Sequence, residues 1–222
     1  MSYWVIFIGT MIASLVVQSV LKSKFKKYSK VAVNNYLTGA EVAKQMLNEN
    51  GIYDVKIVPT TGVLSDHYNP STKTVALSEA VYNGRSVAAA SIAAHECGHA
   101  VQHAQGYLFL ALRSSLVPIV SFASNLVQWV LLLGVLLLNI FPPLLWIGIL
   151  LFAATTLFSF VTLPVEVNAS ARAITWLKAA NITDSNTQPM AINALKWAAY
   201  TYVIAAIGSL ATLLYYIGIA RD

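Results

Sequence analysis

The segment His95-Glu96-Cys97-Gly98-His99 places two histidines four residues apart, with a glutamate directly after the first. On a helix, residues i and i+4 lie one above the other on one face, so both imidazoles reach a single ion. Neutral imidazole is a good zinc ligand, and a catalytic zinc takes three protein ligands plus water. Glu96, next to the first ligand, is angled toward the remaining coordination position. There a carboxylate can take a proton from water and later deliver it to a leaving amine. Three of the four histidines fall within nine residues, in an alanine-rich stretch rather than a charged, solvated one. Cys97 points away from the flanking histidines and reads as packing, not as a nucleophile.

A third ligand has to come from elsewhere. The extended histidine pattern needs a glycine three residues and a histidine six residues after His99, but Gln102 and Gln105 stand there. His103 lies eight residues from His95, about 12 Å along a helix axis, too far to share the ion with both motif histidines. It reads as a polar or supporting residue. Within the later polar segment, 164–197, the acids are Glu166 and Asp184. Glu166 shares a helical face with Ala169, Ser170 and Ala173, small residues that would let its helix press against the alanine-rich motif helix. Asp184 is the second choice.

The rest of the chain must hold these groups, and most of it is apolar. Of 222 residues, 57% are hydrophobic and 10% charged, with a mean hydropathy of +0.64. Soluble domains average about 25% charged residues, so disorder is excluded and a purely soluble enzyme disfavoured. Four charge-free stretches are long enough to cross a bilayer: 3–21, 116–138, 144–163 and 198–219. The first lacks the basic start of a signal peptide. Positive charge follows it instead, at Lys22, Lys24, Lys26, Lys27 and Lys30. Basic flanks stay on the cytoplasmic side, which predicts an outward N-terminus and polar segments 22–115 and 164–197 inside. That assignment leaves 13 of the 14 basic residues inside. The Phe141-Pro142-Pro143 stop turns the second and third spans into a hairpin, bringing both polar segments to one membrane face. The formal charge of +5 suits a membrane surface, and no nucleic acid is expected. The lone Cys97 excludes an internal disulfide.

Within the polar chain, Thr38-Gly39-Ala40-Glu41 reads as a capping box opening a helix that stops at Gly51. Val55 and Ile57 read as a short strand before Pro59. Val63–Tyr68 and Lys73–Leu77 read as strands flanking an Asn69-Pro70-Ser71 turn, and Arg85–Gly106 as the motif helix. Pro164 suits a helix start. The expected fold is a mainly α membrane protein of about four transmembrane helices with a small α+β catalytic region. It forms one domain over 1–222, whose catalytic region joins about 28–115 with 164–197.

The Ala94–Gln102 motif, the Leu163–Ala173 segment and the Asp66-His67-Tyr68-Asn69-Pro70 turn resemble the YugP-type membrane neutral zinc metallopeptidases. The resemblance covers nearly the whole chain. More distantly it is similar to HtpX-like and CAAX prenyl proteases, whose glutamate ligand lies past a membrane hairpin. It implies a zincin-like catalytic region with one Zn2+ per chain held by His95, His99 and Glu166, and Glu96 as acid/base. The distant relatives carry a supporting Asp four residues after the ligand glutamate, where this chain has Ser170. It also implies a small sheet whose edge, taken as Lys73–Leu77, either pairs with an extended peptide or is simply structural. His67, Tyr82, His103 and Arg172 are the donors weighed for the tetrahedral oxyanion.

The expected function is a membrane-embedded zinc endopeptidase, multi-pass in a bacterial plasma membrane with its active site on the cytosolic side. Its expected partners are the bilayer, a peptide or protein substrate near it, and a partner membrane protein that delivers that substrate. The alternative is a non-catalytic adaptor or scaffold whose helices zinc holds together. Two further readings are weaker. Intramembrane cleavage would need more than the eight apolar residues Val87–Ala94 before the motif. A transporter would need ionisable residues inside the spans.

Overall fold

The computed structural model describes residues 3–62 and 64–221. A long helix, α1 (Tyr3–Tyr28), leads into a mixed region of α2 (Gly39–Glu49), β1 (Lys56–Thr60), β2 (His67–Asn69), β3 (Thr74–Ser78), α3 (Glu79–Tyr82) and α4 (Val87–Ala104). Three long helices follow: α5 (Leu108–Leu136), α6 (Pro143–Ala179) and α7 (Gln188–Arg221). Helices α1, α5, α6 and α7 are each long and apolar enough to cross a membrane. Large apolar side chains such as Trp4, Leu15, Phe122, Trp129 and Leu150 lie exposed on them. An aqueous protein would bury many of these, whereas lipid solvates them.

The mixed region is built around α4, whose face of small residues packs between α2 and α6. Val42, Ala43, Met46 and Leu47 of α2, Val75 and Leu77 of β3, the α4 alanines, and Ala173 and Leu177 of α6 share one buried core. Local signals set the boundaries. Thr38 Oγ1 accepts from the Glu41 amide at 3.2 Å, while Glu41 Oε2 accepts from the Thr38 amide at 2.7 Å, which completes the capping box. Ser86 Oγ accepts from the Ala89 amide and starts α4 at Val87, two residues after the expected start. Asn69 Oδ1 accepts from the Ser71 and Thr72 amides and closes the turn between β2 and β3.

The sheet corrects two expectations. Its order is β1-β3-β2, with β1 parallel and β2 antiparallel to β3. Thr74–Ser78 is therefore the central strand and not an edge; β1 and β2 are the edges. Pro59, expected to end the first strand, sits inside β1 opposite Leu77. An edge strand tolerates the missing N–H because one side has no ladder to complete. The strand expected over Val63–Tyr68 is reduced to β2; of that stretch, Val63 lies outside the described residues.

The long helices also differ from their apolar cores. Helix α5 begins at Leu108, eight residues before its charge-free stretch, and includes Arg113. Helix α6 runs unbroken from Pro143 through Pro164 to Ala179, so Pro164 does not start a helix. A proline inside a helix removes one backbone bond, and neighbouring helices packed around it absorb that cost. Continuity matters here: the span and the Glu166 segment form one rigid rod. At the far end, Gly134 lies so close to α6 that a Cβ there would meet the Leu145 Cα at 2.7 Å, which closes the α5–α6 hairpin.

Candidate metal centre

His95, His99 and Glu166 come together although 67 residues separate His99 from Glu166 in the chain. Their ligand atoms lie within 4.8 Å of one another. His95 Nε2 is 3.3 Å and His99 Nε2 3.6 Å from Glu166 Oε2. A tetrahedral zinc with bonds near 2.0–2.1 Å separates its ligand atoms by about 3.3–3.4 Å, so two imidazoles and this carboxylate fit the ion. Burial alone would push the His99 pKa down, but the facing Glu166, with Glu96 and Gln102 behind it, holds it above the ordinary histidine value. Surroundings that favour positive charge on His99 also favour a metal cation.

Close approach of α4 and α6 makes this possible. A Cβ at Gly98 would meet the Ala169 carbonyl oxygen at 2.7 Å, so only glycine lets α6 come this near. Ala169, Ser170 and Ala173 of that face are all buried. The short, small-residue contact is what carries Glu166 to the histidines.

Both rings are fixed from behind. His95 Nδ1 is 3.1 Å from Ser170 Oγ, and His99 Nδ1 is 3.0 Å from Gln102 Oε1. With the Nδ1–H groups donating there, each Nε2 lone pair is left facing Glu166. Gln102 is fully buried, and its amide donates to the Val165 carbonyl at 2.8 Å and to Asn168 Oδ1 at 3.0 Å. It therefore links His99 to the helix that bears Glu166. On the other side of that carboxylate, Arg113 Nη1 lies 3.4 Å from Glu166 Oε1.

The remaining residues weighed from sequence fall in different places. Glu96 is buried and lines both cavities that meet at the histidines. His67 lines one of them, its Nδ1–H donating to the Ser65 carbonyl at 2.8 Å. His103 Nδ1 is bonded to the Tyr68 hydroxyl at 2.8 Å, beside the site and not in it. Arg172 donates to Asn168 Oδ1 and Gln105 Oε1, both at 2.7 Å. Tyr82 belongs to a separate cleft between α2 and β1. Asp184 lies in the turn before α7, accepting from the Asn186 and Thr187 amides, and is no part of the cluster. Cys97 is buried on the α2 side, where Sγ–H faces the Ala43 carbonyl and burial pushes the thiol pKa up.

Three groups near the centre were not singled out from sequence. Gln102 was noted only as a mismatch to the extended histidine pattern. Arg113 is the one charged residue of α5, and its isolation at the start of an apolar helix was the available signal. Tyr202 lines both cavities from within an apolar stretch of α7, where nothing in the sequence sets it apart from lipid-facing tyrosines.

Comparison with known proteins agrees with this chemistry. Residues 3–221 match a family model described as "Putative neutral zinc metallopeptidase". The chain is 45% identical, over 197 residues, to "Putative membrane protease YugP" of Bacillus subtilis strain 168, covering 89% of this chain and 87% of that protein. No solved structure matches significantly.

Proposed function

Because this chain belongs to the neutral zinc metallopeptidase family, we propose that it is a membrane-embedded zinc endopeptidase in which His95, His99 and Glu166 hold one zinc and Glu96 is the acid/base. The observation that carries the reading is the convergence of two imidazoles and one carboxylate at 3.3 and 3.6 Å beside a buried glutamate. When bound, zinc supplies a Lewis acid that makes water a nucleophile near neutral pH and polarises the scissile carbonyl. The protein's own groups do the rest. Glu96 takes the proton of the attacking water on its carboxylate and returns it to the amine nitrogen as the peptide bond breaks. Ser170 and Gln102 keep the imidazoles in the tautomer that presents Nε2. Arg113 holds Oε1 of Glu166, leaving Oε2 for the ion. His67 and Tyr202 stand on the cavity walls where a donor to the tetrahedral oxyanion is needed.

The small sheet beside α4 supports a zincin-like reading of the region, and the free edge of β2 is the strand a peptide backbone would pair with, since His67 and Tyr68 line the cavity. The basic residues after α1 favour a multi-pass arrangement in a bacterial plasma membrane with the site on the cytosolic side. Substrates would then be peptides close to the bilayer, brought there by diffusion in the membrane or by a partner protein.

Glu96→Gln tests the reading directly. It keeps shape and leaves the ligands alone, so zinc per chain should match wild type while cleavage of an unfolded protein in detergent falls by roughly 10³-fold. Equal cleavage by the variant would leave zinc as a helix clamp and favour the adaptor.

A further inference from the structure

Two cavities meet at Glu96 and Glu166, and their walls differ. One, of about 270 Å³, carries Arg113, His67, Tyr68 and Ser114 around the site. The other, of about 180 Å³, runs between α1 and α7, with Leu21 and Phe25 on one side, Leu195, Ala198 and Ala199 on the other, and Ile92 as its floor. Its polar residues, Asp66, His95, Glu96, Glu166, Ser170, Thr201 and Tyr202, include all its charged ones, and away from them the lining is apolar. An apolar cavity of about 150 Å³ accepts a benzene ring, so this chamber has room for one large apolar side chain. The chamber is also set by firm packing farther along the same helices. A Cβ at Gly208 of α7 would approach Thr10 Cγ2 of α1 to 2.9 Å, so the pair is in close contact there.

Resting on the peptidase reading, we propose that the α1–α7 chamber is a specificity subsite that takes a large apolar side chain of the substrate, next to the bond that is cut. A peptide lying across Glu96 must put side chains into both cavities. An apolar side chain in the chamber leaves water without losing a hydrogen bond, whereas a carboxylate there would be desolvated beside Asp66, Glu96 and Glu166. The second cavity has polar groups of its own and discriminates less. Specificity is therefore one-sided, and it comes from two helices that are themselves candidate membrane spans. That suits a substrate whose apolar segment adjoins the cleavage point.

The experiment uses the full-length, zinc-loaded protein in detergent with a peptide library randomised around its centre, products being read by mass spectrometry. Wild type should enrich Leu, Ile, Met or Phe at one fixed position beside the cut and exclude Asp and Glu there. Ala199→Phe, which narrows the chamber, should lower kcat/KM for leucine peptides by about tenfold relative to alanine peptides, one buried side chain being worth at least that factor. Ile92→Ala, which widens it, should shift preference toward Phe and Trp. Binding supplies a readout without turnover: Glu96→Gln protein should hold a fluorescent leucine peptide more tightly than its alanine twin, and Ala199→Phe added to it should erase the difference. Cleavage with no apolar preference, or a preference that neither substitution moves, overturns the subsite while leaving the peptidase intact. Zinc-loaded wild type that cuts nothing overturns the peptidase reading, and the subsite with it.

Discussion

Helix α6 makes two close contacts, one at each end, and they use the same device for different ends. Near its start, Gly134 of α5 lets the hairpin close on Leu145, and the residues around that contact, Leu131 and Ile149, are purely apolar. Past Pro164, Gly98 of α4 lets the helices close on Ala169, but here the neighbours are Glu166, Ser170, Gln102 and two histidines. A missing side chain brings backbones together in both places. Only at the second is the space beside the contact filled with polar groups that satisfy one another. Packing alone gives a hairpin; packing plus a closed hydrogen-bond network fixes ligand atoms to fractions of an ångström.

The largest test of that difference is removal of the carboxylate. Glu166→Ala should take detergent-purified protein from about one zinc per chain to nearly none, because two histidines leave the coordination incomplete. Elemental analysis of both proteins decides it, and retained zinc would place the third ligand elsewhere. Next come the two glycines, compared as a pair. Gly98→Val should abolish zinc binding, since the Ala169 backbone cannot give way as a flexible side chain would. Gly134→Val should cost about 1–3 kcal/mol of stability through overpacking yet leave zinc stoichiometry unchanged in the folded fraction. If both valines remove zinc equally, the two ends of α6 are not independent.

A finer cut separates the two rings. Gln102→Ala breaks three hydrogen bonds that tie His99 to α6, and Ser170→Ala breaks one. Loss of an outer partner weakens metal affinity by about 10–100-fold, so Gln102→Ala should lie near the top of that range and Ser170→Ala near the bottom. Competition with a zinc chelator measures both. Equal losses would mean that tying the helices together adds nothing beyond fixing a tautomer.

Much of this was legible in the sequence, and the parts that were not have physical reasons. The convergence of His95, His99 and Glu166 is legible because ligand chemistry restricts residue type and helical spacing restricts position. Helices that cross a bilayer declare themselves by length. The capping box at Thr38 is local and survived intact. Sheet order is not legible: three strands of three to five residues leave their neighbours to be chosen by distant packing, so the strand expected at the edge as Lys73–Leu77 is, as Thr74–Ser78, the centre. Pro164 misled because its local rule, that proline opens helices, loses to a helix already propagating and packed on both sides. Arg113 precedes the stretch 116–138, and only the structure extends α5 back to Leu108 to include it; Tyr202, inside the stretch 198–219, is hidden for another reason. A residue in an apolar stretch is ordinarily assigned to lipid, and which of its faces turns to a cavity is a tertiary fact.

The smallest effect belongs to the opposite face of α4. Cys97 sits between the motif histidines in sequence, but its side chain packs toward α2, with Sγ 3.6 Å from the Ala43 carbonyl and the thiol fully buried. Helical periodicity alone puts it about half a turn from each histidine, away from α6. Cys97→Ala removes one buried atom from the core and leaves the α6 face untouched. It should lower stability by about 1 kcal/mol, in the range of small core deletions, with zinc content and cleavage equal to wild type. Burial also holds the thiol in its protonated form, and the thiolate is the reactive species. A maleimide at neutral pH should therefore label the native protein far more slowly than the unfolded chain. Fast native labelling, or zinc lost on Cys97→Ala, would mean that the two faces of α4 are coupled, and that the metal centre depends on the α2 core as well as on α6.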